Sequence, residues 1–501
     1  MEQLSFMKNP TDCYLVDTFS ADHLCDETER RLLEARYAPK LEITEKFNRQ
    51  SVSYQLSKKD VLHSWLRYKE GFSASLVNLL LDEMNAVPGD WIMDPFMGSG
   101  TTALVCRMRG INSIGYDIMP ISDVSLRAKE ACTEYNLDEL REMLEEVRAL
   151  EMPAAFQRKT PYVAITQDAY PEETERFLQY ISEWRDGAVY SAEAKNLLTL
   201  CIINSLERVS YTSKSGQYLS WDGRSKKVQS TNAARIAKGK KPFPEKRVRG
   251  EILPAKETIL SELEHVLGDI VCIQQSAGEH TDAQIHYTPG SALYEVPMLP
   301  DGILKGVITS PPYCNRYDYT RTYALELVYL GADEDRIKKI RQDLLSCTVE
   351  SKSKLDSLRR FYEKLGKTER FESICETIKA NKAFSEVLRA LSQRKAHGDL
   401  NNKGVIQMVD GYFTELAFLY AELYRVCRPG AMVAFVNDNV RYGGEVIPVD
   451  FLSCSFAEQF GFKVKTVYTL KQQKGNSSQQ MAKFGKVSLR KGITVWTKEQ
   501  L

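Results

Sequence analysis

Residues 307–313, Val-Ile-Thr-Ser-Pro-Pro-Tyr, join a β-branched pair to two hydroxyls, two prolines and an aromatic ring. The pattern predicts a buried strand that ends in a rigid, exposed corner. Two prolines fix φ and remove two N–H donors, so carbonyls at the corner can accept hydrogen bonds from a ligand. Ser310 adds a hydroxyl and Tyr313 a flat face for stacking. Together they suit a planar ring that carries an exocyclic amine. An isolated Ser-Pro-Pro-Tyr would read as an ordinary turn. A second stretch upstream gives it weight.

That stretch runs from Asp90 to Thr102, DWIMDPFMGSGTT, followed by the helical ALVCRMRG. A short apolar strand, a turn carrying Gly98 and Gly100, and a helix beginning at Thr101 form a strand–glycine turn–helix unit. Glycines let a ligand approach the backbone, and the free N–H groups of a helix start favour an electron-rich group. The next strand, Gly110 to Asp117, ends on an acid 23 positions after Asp94. An acid about 20 residues along is placed to hydrogen-bond ribose hydroxyls. The turn lacks the third glycine of the dinucleotide fingerprint, which argues against NAD.

DPFMGSGTT (94–102) followed by TSPPY (309–313) resembles the paired signature of the DNA amino-methyltransferases, which move a methyl group from S-adenosylmethionine to the exocyclic nitrogen of cytosine or adenine. YKEGFS (68–73) is similar to the family element that precedes the cofactor loop, and GYDI (115–118) to the ribose-binding acid. Gly290-Ser291-Ala292 is similar to the strand-end motif before the catalytic corner, with Ser291 in place of the usual acid. The resemblance implies a Rossmann-like α/β sheet with helices on both faces. It implies S-adenosylmethionine held by Lys69, Phe72, Asp94, Phe96, Gly98, Gly100, Thr101, Asp117 and Ser291. Catalysis falls to Ser310, Pro311, Pro312 and Tyr313, with Tyr317 and Tyr319 lining a base pocket. No metal or cysteine nucleophile is required, and Cys314 is incidental. The expected partner is double-stranded DNA with the target base flipped out, alongside cognate restriction or defence-system proteins. Serine at the first position of the tetrapeptide leans towards cytosine N4 over adenine N6 within the family. RNA base methylation, or a catalytically inactive cofactor-binding subunit, are the alternative readings.

Around these motifs the chain divides into six parts. Residues 1–60 are expected to form an N-terminal extension, 61–119 the cofactor half, 120–285 an insertion that serves as the DNA or target-recognition region, 286–330 the catalytic segment, 331–403 a helical insertion and 404–501 the rest of the methyltransferase unit. Both insertions read as largely helical, and the first is far longer than a crossover needs. Within it, Thr212 to Gly250 carries eleven Lys or Arg against Asp222 and Glu245, a local charge of +9. In a chain with 67 residues of each sign this asymmetry points to phosphate. Lys226, Lys227, Arg235, Lys240, Lys241 and Arg247 are the candidate DNA contacts, with Tyr218, Trp221 and Phe243 interleaved for stacking. The basic loop QQKGNSSQQMAKFGK (472–486) is expected to project from the catalytic edge between two closing antiparallel strands. Eleven scattered cysteines with no Cys-x-x-Cys pair, no basic-then-apolar start and no run of 18 apolar residues point to a reducing cytoplasmic setting and away from membranes.

Overall fold

The computed structural model describes residues 14–500, apart from 49, 54, 57–59, 159–162, 216–217, 248–249, 277–281 and 472–481. Most of the 472–486 loop therefore lies outside the described residues. The strands are β1 (Leu41–Thr44), β2 (Trp91–Asp94), β3 (Asn112–Asp117), β4 (Thr212–Ser215), β5 (Tyr218–Trp221), β6 (Ile285–Pro289), β7 (Leu304–Thr309), β8 (Cys427–Asp438), β9 (Val440–Tyr442), β10 (Glu445–Ile447), β11 (Lys463–Leu470) and β12 (Lys491–Thr497). Eight of them form one sheet in the order β1-β11-β12-β8-β7-β2-β3-β6, all parallel except β12, which runs against both neighbours. The pairs β4–β5 and β9–β10 are separate hairpins.

The helices of the first half are α1 (Thr28–Tyr37), α2 (Ala74–Glu83), α3 (Thr101–Met108), α4 (Pro120–Glu130), α5 (Leu137–Ala149), α6 (Glu172–Gly187), α7 (Ala192–Ser205), α8 (Lys226–Ala237) and α9 (Ala255–Ser276). Those of the second half are α10 (Ala292–Glu295), α11 (Tyr319–Thr322), α12 (Ala324–Tyr329), α13 (Glu334–Asp343), α14 (Leu355–Lys364), α15 (Thr368–Ala380), α16 (Lys382–Ala396), α17 (Val405–Val426) and α18 (Val449–Gln459). This is the α/β, Rossmann-like architecture that the motifs imply. The helix expected after Ser73 is α2, and the Ser73 hydroxyl caps it by accepting from Leu76 N.

Strand β7, Leu-Lys-Gly-Val-Ile-Thr, is buried at every position except Lys305, because both of its faces are covered. At Gly306 a β-carbon would sit 2.5 Å from Met84 Sδ and 2.8 Å from the Met432 carbonyl, so only glycine lets β7 lie this close to β8 and α2. Strand order reverses direction between β2 and β7, and that reversal opens a crevice at their carboxyl ends.

Two features depart from a local reading. The Pro429-Gly430 turn lies inside β8, where Gly430 (φ +81°) accompanies a shift in register against β7. Residues 14–48 do more than pack on the sheet, since β1 extends it alongside β11. Helix α17 is buried nearly all round, with α15, α16 and α18 packed against it. Helices α14–α16 are thus a layer of the core, while α13 packs with the first insertion.

Buried charge ties this layer to the N-terminal segment. Arg30, with no exposure, donates to Glu386 at 2.8 Å and Glu445 at 2.9 Å, and also to the Asp26 and Val446 carbonyls. Arg394 meets the same Glu445 at 2.7 Å. Removing one member of such a cluster strands the others without solvent. Arg30→Met should lower stability by about 3 kcal/mol in urea unfolding. A change below about 0.5 kcal/mol, the level of an ordinary surface substitution, would show that the cluster contributes no more than exposed pairs do.

Candidate functional site

Strand β2 ends at Asp94, whose side chain is 1% exposed. Its carboxylate accepts from Thr309 Oγ1 of β7 at 2.6 Å, Thr102 Oγ1 of α3 at 2.8 Å and Phe96 N at 3.1 Å. Burial pushes its pKa up to about 6 against those three donors. One carboxylate therefore joins the glycine turn to the strand that carries Ser310.

Gly98 (φ +55°) and Gly100 (φ +86°) shape the turn. Their constraints differ. A β-carbon at Gly100 would lie 2.8 Å from Leu126 Cδ1, the movable end of a side chain on α4, so the left-handed backbone rather than this contact calls for glycine. At Gly98 the β-carbon would meet Tyr68 Cε1 at 3.0 Å on the cleft side. Asp117, at the end of β3, accepts from Gly98 N at 2.7 Å and Met119 N at 2.8 Å, and burial raises its pKa.

Beyond these strand ends lies a cleft of about 740 Å³. Phe72, Phe96, Gly98, Thr101, Asp117, Ser291, Ser310, Pro312 and Tyr319 are on its wall. The structure thus brings together six of the nine expected cofactor residues with two of the four corner residues. Asp94 and Gly100 act from beneath, the first through the contacts above and the second through its backbone. Lys69 turns away, its ammonium donating to the Lys214 carbonyl. Tyr313 stands beside the wall, half-buried, its hydroxyl accepting from Ser310 Oγ at 3.1 Å and its ring 5.4 Å from Lys491 Nζ. Pro311 is buried, and Tyr317 packs edge-on to Tyr319 at 4.9 Å.

Several wall residues escaped the sequence reading. Tyr68 and Glu70 lie inside the YKEGFS element, so a signal existed for them. Tyr68 stacks on Tyr323 at 5.2 Å, and Glu70 accepts from the Tyr323 hydroxyl at 2.5 Å. Leu344 and Leu345 come from beyond α13 and carry no local signal. Nor did Lys129, which is fully buried and donates to the Ser99 carbonyl behind the turn at 2.9 Å. Burial lowers its pKa to about 7.

The basic segment folds as the β4–β5 hairpin, α8 and an extended return. Lys226, Lys240, Lys241 and Arg247 are exposed, Lys226 within 3.7 Å of Glu172 on α6. Two of the expected contacts face inward. Lys227 donates to the Ala164 carbonyl at 3.1 Å over the Trp221 ring, and Arg235 donates to the Lys241 carbonyl at 2.9 Å over the Phe243 ring. The Tyr218 side chain lies outside the described residues.

Residues 14–122, which include the glycine turn and Asp117, match the family model described as DNA methylase, an N6/N4 methyltransferase family. Type II methyltransferase M.BsoBI of Geobacillus stearothermophilus is 49% identical over 97% of this chain and 95% of its own length. The chain belongs to the type II DNA methyltransferases. Type II methyltransferase M.AvaI of Anabaena variabilis is 34% identical over 95% of each chain. M.MjaII of Methanocaldococcus jannaschii, also a type II methyltransferase, is 42% identical over only 83 residues.

For this methyltransferase, membership implies S-adenosylmethionine as methyl donor, and the cleft fits it. Phe72, Phe96 and Leu293 give apolar walls for a purine, and the start of α3 gives free N–H groups. Among the described residues no group of three His, Cys, Asp or Glu is placed to hold a metal ion.

Two outcomes follow. Between about pH 4 and 6 folded Asp94 keeps a proton that the unfolded chain has lost, so its contribution to stability falls as pH rises through that window, by about 3 kcal/mol at most. Asp94→Asn should lack this slope, so the difference in stability between the two proteins should change across the window; parallel curves would refute the assignment. Gly98→Val, forced into a left-handed backbone against Tyr68, should abolish S-adenosylmethionine binding by calorimetry. Binding within a few-fold of wild type would show that Tyr68 moves aside.

Proposed function

We propose that the enzyme methylates the exocyclic amine of a base flipped out of duplex DNA, cytosine N4 in preference to adenine N6. The observation that carries this reading is the adjacency of Ser310 and Pro312 at the end of β7 to the Gly98 turn and Asp117, all on one wall. When bound, S-adenosylmethionine supplies an electrophilic methyl group.

The protein's task is to make a poor nucleophile attack. The lone pair of an aromatic amine is delocalised into its ring. Ser310 Oγ spends its proton on Tyr313 Oη, which leaves the hydroxyl oxygen free to accept. Together with the Pro311 carbonyl it would receive the two N–H bonds of the amine and draw the nitrogen towards a tetrahedral shape. Tyr313 would stack on the extruded base. Asp117, whose carboxylate is anchored by two backbone donors, keeps acceptor capacity for ribose hydroxyls. Phe72, Phe96 and Ser291 would flank the adenine, and Thr101 would offer its N–H at the helix start.

The serine in the first position supports cytosine over adenine, since aspartate at that place goes with adenine within the family. Type II relatives at full length favour DNA over RNA as substrate, and support a cognate restriction endonuclease as cellular partner. An intact cofactor wall and corner argue against an inactive subunit.

Long-read modification mapping of DNA from methylation-free cells expressing the enzyme should reveal one short motif bearing N4-methylcytosine, identified by mass spectrometry of the nucleosides. N6-methyladenine in its place would reverse the base assignment. Ser310→Ala and Tyr313→Ala should each reduce transfer by about 10² to 10³-fold while S-adenosylmethionine affinity stays unchanged. Wild-type transfer rates in both variants would remove the mechanism.

A further inference from the structure

Helix α8 has one buried residue, Asn232, so burial of an apolar face does not hold it. Side-chain clasps do. Ser225 caps its start by accepting from Val228 N. Asn232 donates to the Phe243 carbonyl at 3.1 Å and accepts from Phe243 N at 2.8 Å, while Arg235 holds the Lys241 carbonyl. Helix and return strand are thus fastened to each other, and β5 at their base packs on α11, six residues past Tyr313.

The inward line of the helix is Val228, Asn232 and Arg235. At 100° per residue the opposite crest carries Lys226, Ser230, Ala233, Ala234 and Ala237, all exposed. A helix face that meets only water normally carries long charged side chains. Here the crest is small and nearly uncharged, while Lys238, Lys240, Lys241, Lys246 and Arg247 stand exposed just beyond it. An α-helix with its side chains is about 10–12 Å across, close to the ~12 Å width of the DNA major groove. A crest of alanine and serine lets the backbone approach base edges. Alanine methyls can meet thymine methyls, and Ser230 Oγ, which donates to the Lys227 carbonyl at 3.2 Å, still has lone pairs to accept from a base.

We propose that the crest of α8 enters the major groove of the target duplex and reads its sequence, with the lysines that follow α8 on the flanking phosphates. The proposal rests on duplex DNA being the substrate, as the function above has it, but not on which base is methylated. Charge decides the occupant, because a cationic rim around a crest of small residues, whose one charge is Lys226, complements a groove walled by phosphates.

The test compares wild type, Ala233→Leu, Ala237→Leu and the double variant Lys240→Gln/Lys241→Gln, each mapped for its modified motif and assayed for binding to target and random duplexes. Leucine suits an exposed helix, so the fold and S-adenosylmethionine binding should be kept. Each leucine variant should lose about tenfold or more in methylation of the target, or accept altered base pairs at one position, with the salt dependence of binding retained. The double lysine variant should weaken binding to every sequence alike and reduce the slope of log K against log salt by about 1.8. Leucine variants with wild-type rate and motif would overturn the proposal, as would a lysine variant with an unchanged slope. Absence of any modified motif in wild type would sink the DNA reading itself and the helix assignment with it.

Discussion

Asp94 is buried where water cannot compensate its charge, and it is tolerable there because donors from three separate elements converge on it. Removing any of them would leave a carboxylate oxygen or a hydroxyl unsatisfied, at about 1–3 kcal/mol each. The glycine turn, the start of α3 and the end of β7 therefore form one arrangement. A shift of β7 that moved Ser310 would break the Thr309 contact first, and the turn that shapes the cofactor cleft would feel it through the same carboxylate. Coupling of this kind is what placing two substrates for in-line transfer requires.

Much of this was legible in the sequence because it is local. A strand ending in Asp-Pro-Phe, a glycine pair and a helix start mark one wall of the cleft within a dozen residues, and TSPPY marks another. What local pattern cannot give is the side from which a residue acts. Asp94 and Gly100 sit in the cofactor motif, yet one clamps strands and the other supplies a left-handed backbone. Lys129 and Leu344 reach the site through tertiary packing alone, so nothing at their own positions announces it. Lys69 is an instance of the reverse, a motif residue whose charge is directed at the insertion.

The two insertions follow different physics. Helices α14–α16 are fixed by apolar burial against α17 and by ion clusters around Arg30 and Arg394, where desolvated charge selects which surfaces meet. Helices α5, α7 and α9 of the first insertion bury a comparable apolar cluster shared with α12, so most of that insertion is scaffold too. Among the described helices of this insertion, α8 alone has no buried apolar residue. The net charge of +9 over Thr212–Gly250 identified this region as a surface feature from sequence, but charge could not tell a loop from a helix, because the clasp between Asn232 and Phe243 spans eleven residues of low hydrophobic periodicity.

Lys214 shows why that outlying helix need not be loosely tethered. Its ammonium is buried against Glu326 of α12 at 2.5 Å and lies 4.2 Å from the centroid of the Tyr323 ring, while its carbonyl receives Lys69 from the cofactor side. Tyr323 in turn stacks on Tyr68 at the cleft wall. The base of the β4–β5 hairpin is thus locked to the helices that follow Ser310–Tyr313 and to the segment that precedes the glycine turn. An enzyme that modifies one base at a fixed offset from a recognised sequence needs such a lock. If α8 reads the target as proposed, a compliant joint between it and the corner would present neighbouring bases to Ser310 with similar frequency, and the buried ion pair and stacked rings oppose such compliance.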